Sequence, residues 1–288
     1  GDGGNNEAVT ITGNAIFGNA TTDTVTGLKS LVVTGNTTIE TTNITTVDAQ
    51  TYGDATSDTL TLGTNVVMTT GTAAGDDITF NIINSDNAGD ERNLTVTAED
   101  VIFNAAVGQT RDLGAIDITG NLDLNADIGN TGGTAGAASL DVSGTTNLGA
   151  DVATVGTQIY GGVTTISAAS TLATTNSNIT FNGTVIGRNS ATDDALTLNM
   201  GTGIVEFNQQ VGGAGNNDVG AIAITGGLNL DAAITSAASL TVSTTSNLGA
   251  SVTTSGLQTY SQAVTLSAGN TLTSSGTGNL LFSSTTDS

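Results

Sequence analysis

A chain of 288 residues with 26 acidic and four basic side chains, a formal charge of −22, no His, Cys, Pro or Trp and only 3% aromatic residues excludes several functions at once. Nucleic acid binding needs clustered Lys and Arg to neutralise phosphates, and the same repulsion opposes docking on an anionic bilayer, so nucleic acid and membrane insertion are both excluded as expectations. Without His or Cys there is no thiolate nucleophile, Ser-His-Asp triad, disulfide framework or imidazole metal site.

What remains is Thr, Asn, Ala, Ser, 39 Gly and a 37% hydrophobic share. Thr, Asn, Gly and Val are poor helix formers, and the apolar content is too high and too even for a disordered tail. No run reaches the roughly 18 apolar residues of a membrane helix. The opening GDGGNNEAVT has neither an initiator Met nor a charged and apolar leader, which reads as a mature or excised segment.

In chain order, a set of phrases keeps returning. GNNEAVTITGNAIF at 4–17 resembles GNNDVGAIAITGGLNL at 215–230. SLVVTGNTTI, SLDVSGTTNL and SLTVSTTSNL begin at Ser30, Ser139 and Ser239. DAQTYGDATSDTLTL at 48–62 is followed by the closer pair GTQIYGGVTTISAASTL at 156–172 and GLQTYSQAVTLSAGNTL at 256–272, so all three tyrosines, Tyr52, Tyr160 and Tyr260, stand in a Gln-x-Tyr phrase. Phe80, Phe181 and Phe282 stand in DDITFN, SNITFN and GNLLFS. Phe103 and Phe207 stand in VIFNAAVG and VEFNQQVG, and LGAIDITGNLDLNADI at 113–128 returns as VGAIAITGGLNLDAAI at 219–234. The order is constant, which defines a module of roughly 100 residues. The end of a partial module occupies 1–29, full modules occupy 30–138 and 139–238, and a partial module occupies 239–288.

Within a module, inward candidates alternate: Leu140 and Val142, Ile179 and Phe181, Leu196, Leu198 and Met200, Val205 and Phe207. Period two bounded by Gly, Asn, Asp and Ser is the strand signal, and related phrases recur at the interval of one solenoid turn. The expected fold is all-β, a right-handed parallel β-helix of about 20 residues per coil running through 1–288 as one continuous solenoid. Absent Pro fits stacked strands, since Pro deletes a ladder hydrogen bond. An antiparallel sandwich array of similar module size is the competing fold. With five coils to a module, each Gln-x-Tyr is expected on the same side of the solenoid, its ring packed into the wall and its Gln bonded along the stack; a row of sugar-stacking rings is the functional alternative.

Chemistry is sparse. The carboxylate pairs Asp76 with Asp77, Asp90 with Glu91 and Asp193 with Asp194 are adjacent in sequence, and neighbours on a strand point to opposite faces, so none is a ready glycosidase pair. The loops NSDNAGDERNL at 84–94 and NSATDDALTL at 189–198 fit solvated corners or weak calcium sites, as does GGAGNNDVG at 212–220. Lys29, Arg92, Arg111 and Arg188 are scattered surface cations, with Arg92 and Arg188 loosely at one repeat phase. Thr10-Ile11-Thr12, Thr59-Leu60-Thr61 and Thr95-Val96-Thr97 do not recur at a constant interval, as an ice lattice match demands. Six Asn-x-Thr sequons, at Asn19, Asn36, Asn43, Asn93, Asn178 and Asn182, follow from the composition. No catalytic residue, cofactor-binding residue or metal ligand is assigned, and no enzyme activity or bound cofactor is expected.

TSGLQTYSQAVTLSAGNTLTSSGTGNLLF and SNITFNGTVIG resemble the β-strand repeats of large bacterial surface exoproteins, the filamentous-haemagglutinin-like adhesins and autotransporter passengers. The resemblance is one of repeat style over nearly the whole chain and includes no secretion domain or receptor motif. It implies an extracellular stalk or self-assembling filament at the cell surface, associating head to tail or continuing a longer chain, and contacting glycans or matrix. The alternative is a polysaccharide-binding or polysaccharide-cleaving β-helix, which predicts a single groove with non-repeating carboxylates.

Overall fold

The computed structural model describes residues 7–87, 89–130, 136–188, 193–213, 215, 217–267, 269–284 and 286–287. Residues 4–6 of the first repeated phrase lie outside them. Every regular element among the described residues is a strand, and every strand-to-strand pairing is parallel, as a right-handed parallel β-helix requires. The chain divides into two compact units, 1–144 and 145–288. Successive coils are spaced by about 22 residues, close to the expected 20.

Each unit has three walls, and each wall is a register of inward side chains. In the first unit one wall stacks Ile11, Val33, Tyr52, Phe80, Phe103 and Leu124. A second stacks Ile44, Met68, Val96, Ile118 and Val142. A third stacks Thr37, Leu60, Ile83, Val107 and Ile128. Val33, Phe80, Phe103 and Leu124 have no accessible surface, and burial of such side chains contributes about 1.5–3 kcal/mol each. Outward positions on the same strands are Thr, Asn, Asp and Val, which is the alternation that β-branched and short polar residues suit.

Corners absorb the differences in coil length. At two of them a Gly stands where a side chain is impossible: Gly120 has φ +138° and a Cβ there would lie 2.1 Å from the Ala98 carbonyl, and Gly226 has φ +147°. Both bend a twelve-residue strand, Leu113–Leu124 or Val219–Leu230, from one wall onto the next.

In the second unit the walls show how the module and the coil differ. Below Tyr160 come Phe181, Phe207, Leu230, Leu248 and Leu266. Tyr260 belongs to another wall, under Leu172, Leu198, Ile224 and Val242 and above Phe282. Four coils on from Tyr160 is Leu248 and five is Leu266, so Tyr260 falls two thirds of the way between them in the order of walls. The expected same-side recurrence is therefore corrected: a module is four coils and two walls, and equivalent residues are rotated by one wall. Residue counting missed this because corners of unequal length hide the number of walls passed.

The tyrosines do pack inside. Tyr160 and Tyr260 are fully buried and Tyr52 is 2% exposed. Each ring lies over the Phe of the next coil, with centroids 5.7, 5.0 and 5.2 Å apart for Tyr52–Phe80, Tyr160–Phe181 and Tyr260–Phe282, and planes within 14°. Phe207 continues the stack beneath Phe181 at 5.2 Å. Each phenol donates to the buried Gln two residues earlier, at 2.8 Å to Gln50, 3.0 Å to Gln158 and 3.2 Å to Gln258. Each Gln Nε2 in turn donates to a Thr four residues earlier, Thr46, Thr154 or Thr254, at 3.2 Å, and to a carbonyl of the next coil. The Thr hydroxyl then donates to the corner carbonyl of Asp48, Gly156 or Gly256. The repeated phrase is thus Thr-x-x-x-Gln-x-Tyr, a fully paired polar chain inside an apolar core. Burial pushes all three phenols upward in pKa, which keeps them protonated as donors.

Two outcomes follow for stability. Tyr160→Phe keeps the ring stack but leaves the buried Gln158 Oε1 without its donor, so urea unfolding is expected to show a loss of about 1–3 kcal/mol; an unchanged midpoint refutes the paired chain. Thr164, fully buried with an unpartnered hydroxyl, lies in register with Val185 and occupies the repeat position of Val264. Thr164→Val is expected to stabilise by about 1 kcal/mol, measured in the same assay.

Candidate functional site

With the tyrosines in the core, no aromatic row is left for stacking sugars. Phe80, Phe103, Phe181 and Phe207 are buried as well. Phe282 is 37% exposed at the last described coil.

The cations sit in ion pairs or beside carboxylates. Lys29 approaches Asp48 at 3.8 Å on the surface. Arg92 holds Asp86 at 2.9 Å and reaches Asp90 at 4.0 Å, and Arg188 holds Asp194 at 2.8 Å. These two closures use equivalent loops with the charges exchanged: an acidic residue leads the loop and Arg ends it in one, and Arg leads and Asp ends it in the other. Arg92 and Arg188 are therefore at opposite ends of the loop, not at one phase. The swap preserves the attraction that clamps the corner while freeing the identity of each end. Arg111 lines a hollow of about 210 Å³ with Glu91 and Asp112.

The members of the carboxylate pairs stand in corners outside the strands. Asp76 accepts the Ala73 amide, while Asp77 has a carboxyl oxygen buried without a partner. Of the second pair Asp90 faces Arg92, and of the third Asp194 faces Arg188. Among the described residues no three acidic side chains gather in a way that could hold a metal ion. Residues 189–192 of the second acidic loop and 214 and 216 of GGAGNNDVG lie outside the described residues, as does 88 in the first loop. Of the three Thr pairs, the one at Thr95 and Thr97 contributes to a rank in spite of unequal spacing: Thr45, Thr69, Thr97 and Thr119 are register neighbours on one wall. Their companion rank is Asn43, Val67, Thr95, Asp117 and Asp141, so no two-rank Thr lattice arises there.

One hollow was missed by sequence reasoning. It encloses about 330 Å³ on the outside of a wall in the second unit and is lined by Ile204, Glu206, Gly227, Asn229, Asn247 and Thr265. Glu206, Asn229, Asn247 and Thr265 are register neighbours on four successive coils. Thr180, one coil earlier, donates to Glu206 Oε2 at 3.3 Å, and Asn247 Nδ2 donates to Asn229 Oδ1 at 2.8 Å. The signal lay in three departures between repeats, Gly227 for Asn121, Ile204 for Asp100 and Glu206 for Ile102.

No family model, curated protein or solved structure matches the chain.

Charge also shapes stability. Asp77, Asp112 and Asp141 all hold their protons more tightly than an ordinary Asp. Desolvation is the first cause in each; the second is the Asp100, Glu91 or Asp117 carboxylate respectively. Asp86 is displaced the other way by its bond to Arg92. A carboxyl whose native pKa is raised binds more protons folded than unfolded in the window just above the ordinary Asp value of about 3.9, so stability rises as pH falls through that window. Relief of the −22 charge acts in the same sense. The Tm at low salt is expected to be higher near about pH 5 than near about pH 8, and Asp141→Asn to raise the Tm at the higher pH. A Tm lowered by that substitution at pH 8 contradicts the Asp117–Asp141 repulsion.

Proposed function

We propose that the chain is an extracellular structural segment, a β-solenoid spacer or fibre of a cell surface that serves adhesion, aggregation or biofilm. The observation that carries this reading is the division between interior and exterior. The Thr-Gln-Tyr chain and the aromatic stack are kept in every module, whereas the rotation of Tyr260 by one wall from Tyr160 means that a module-borne surface feature turns around the axis. Such a repeat preserves mechanical continuity and does not build a one-sided catalytic or binding row. Side-chain chemistry agrees: the outward ranks are short and polar, and three of the four cations are held in ion pairs. The resemblance of the repeat phrases to large surface exoproteins supplies the location.

Self-association end to end, or continuation by further chain, belongs to the same proposal. Leu280 and Phe282 are 39% and 37% exposed, although their register partners Gln258 and Tyr260 are fully buried. A following coil, from either source, would cover them as every preceding coil is covered.

Antibodies against the purified chain are expected to label intact source cells without permeabilisation, with protease shaving removing the signal. Labelling that requires permeabilisation overturns the surface assignment. For self-association, sedimentation velocity over a hundredfold concentration range is expected to show growing species that Phe282→Asp abolishes; a single species throughout refutes end-to-end association.

A further inference from the structure

The hollow beside Ile204 does not repeat. In the first unit the equivalent pair is Asp100 and Asn121, register neighbours as Ile204 and Gly227 are, and there Asn121 Nδ2 donates to Asp100 Oδ1 at 2.9 Å, filling the corner with a polar bridge. In the second unit Gly227 contributes no side chain and Ile204, 40% exposed, stands alone as an apolar flank. The same substitution set places a carboxylate, Glu206, where the other repeat has Ile102. The acid and the isoleucine thus trade places, Asp100 and Ile102 against Glu206 and Ile204, and a structural repeat gains nothing from exchanging a corner bridge for an open corner beside an exposed Ile. Three coordinated departures in one place therefore indicate a ligand.

The chemistry of the lining selects its class. Glu206 offers a carboxylate oxygen beyond the one bonded to Thr180. The Asn247–Asn229 bond leaves amide hydrogens on Asn229 and a carbonyl oxygen on Asn247, and Thr265 adds a hydroxyl on the next coil. Acceptor, donor, acceptor and hydroxyl at coil spacing, about 4.8 Å apart, match vicinal hydroxyls along a sugar chain, with Ile204 against the C–H face of a ring. An anionic glycan is disfavoured. Arg188 is the one basic residue of this unit's sequence, and it is held by Asp194. The volume of 330 Å³ lies at the lower end of the range of about 300–1,000 Å³ for small-ligand sites, suiting one or two sugar units of a longer chain. We propose that Glu206, Asn229, Asn247 and Thr265, with Ile204 as apolar flank and Gly227 as the opening, form a subsite for an uncharged polysaccharide laid along the wall. The subsite is independent of the spacer reading, since a solenoid enzyme or lectin would carry it equally.

The test is a nuclear magnetic resonance titration of the full chain with uncharged hexasaccharides of glucose, mannose, xylose and N-acetylglucosamine, with oligogalacturonate as the anionic control. At least one uncharged hexasaccharide is expected to give saturable shifts at Gly227 and at the Asn229 and Asn247 amides, and oligogalacturonate none. Gly227→Asn restores the residue of the other repeat. A Cβ there meets the exposed Ile204 side chain at 3.1 Å and the Thr245 carbonyl at an ordinary 3.7 Å, so the fold is expected to persist and the shifts to vanish. Glu206→Gln, at a half-buried outward position of its strand, is expected to weaken binding at least tenfold. No shift with any of the four sugars, equal binding by oligogalacturonate, or full binding by the folded Gly227→Asn variant each overturns the subsite.

Discussion

Parallel register is the constraint on which everything else rests. In a stack of coils an inward side chain meets its register neighbours directly above and below, so each wall becomes a column whose members must agree in size and polarity. Tyr160, Phe181 and Phe207 are compatible because flat rings stack at 5.0–5.2 Å, near the coil rise of about 4.8 Å. The column then passes to Leu230 and Leu248. A polar group can enter only if its bonds are completed within one coil of itself. The Thr-Gln-Tyr chain satisfies that condition by sending the phenol to Gln, Gln to Thr, and Thr to a corner carbonyl. Buried amides left half-paired destabilise, whereas a completed network fixes one register among the many that a Thr- and Val-rich chain could adopt. The Gln-Tyr chain is therefore best understood as a register marker, setting which coil follows which.

A module of four coils and two walls has a further consequence. Sequence duplication copies residues in order, but packing reads them by wall, so every copy must fit a different set of flanking walls from its parent. Gln158 bonds the carbonyl of Ala173 and Gln258 that of Thr273 by the same geometry on different walls, which shows that these two walls are equivalent in shape at the Gln-Tyr phrase. Such equivalence is possible because most inward positions are aliphatic, each tyrosine meets a Phe in the next coil, and the corners, carrying Gly120, Gly226 or the paired loops, take up the differences.

Much of this was legible in the sequence. The alternation at Ile179 and Phe181 and at Val205 and Phe207 gave strand and facing together, since period two admits no other reading once Gly and Asn bound the run. The wall on which each phrase lands was not legible, because corners such as 70–77 add residues without adding walls. Thr46, Thr154 and Thr254 went unnoticed as members of the polar chain although they precede each Gln by four residues, for Thr is so common here that its position carries little information. The hollow escaped for the opposite reason. Its signal is a difference between copies, Gly227 against Asn121, and attention to what recurs passes over what departs.

That contrast suggests where function lies in such a chain. Interior positions are constrained by two neighbours each, so their recurrence reports packing and says little about purpose. Exterior positions are constrained by almost nothing beyond solubility and the blunting of strand edges, so drift there is expected and single changes mean little. Coordinated changes are different. The exchange of Asp86–Arg92 for Arg188–Asp194 altered both ends of a loop and kept one interaction, which is compensation. The change at Ile204, Glu206 and Gly227 removed the Asp100–Asn121 bridge, moved the carboxylate two residues along the strand and left a hollow that no side chain of the repeat fills. A repeat protein thus carries its own control, since each copy shows what the fold requires, and an uncompensated departure from it marks the place where something other than the fold has been selected.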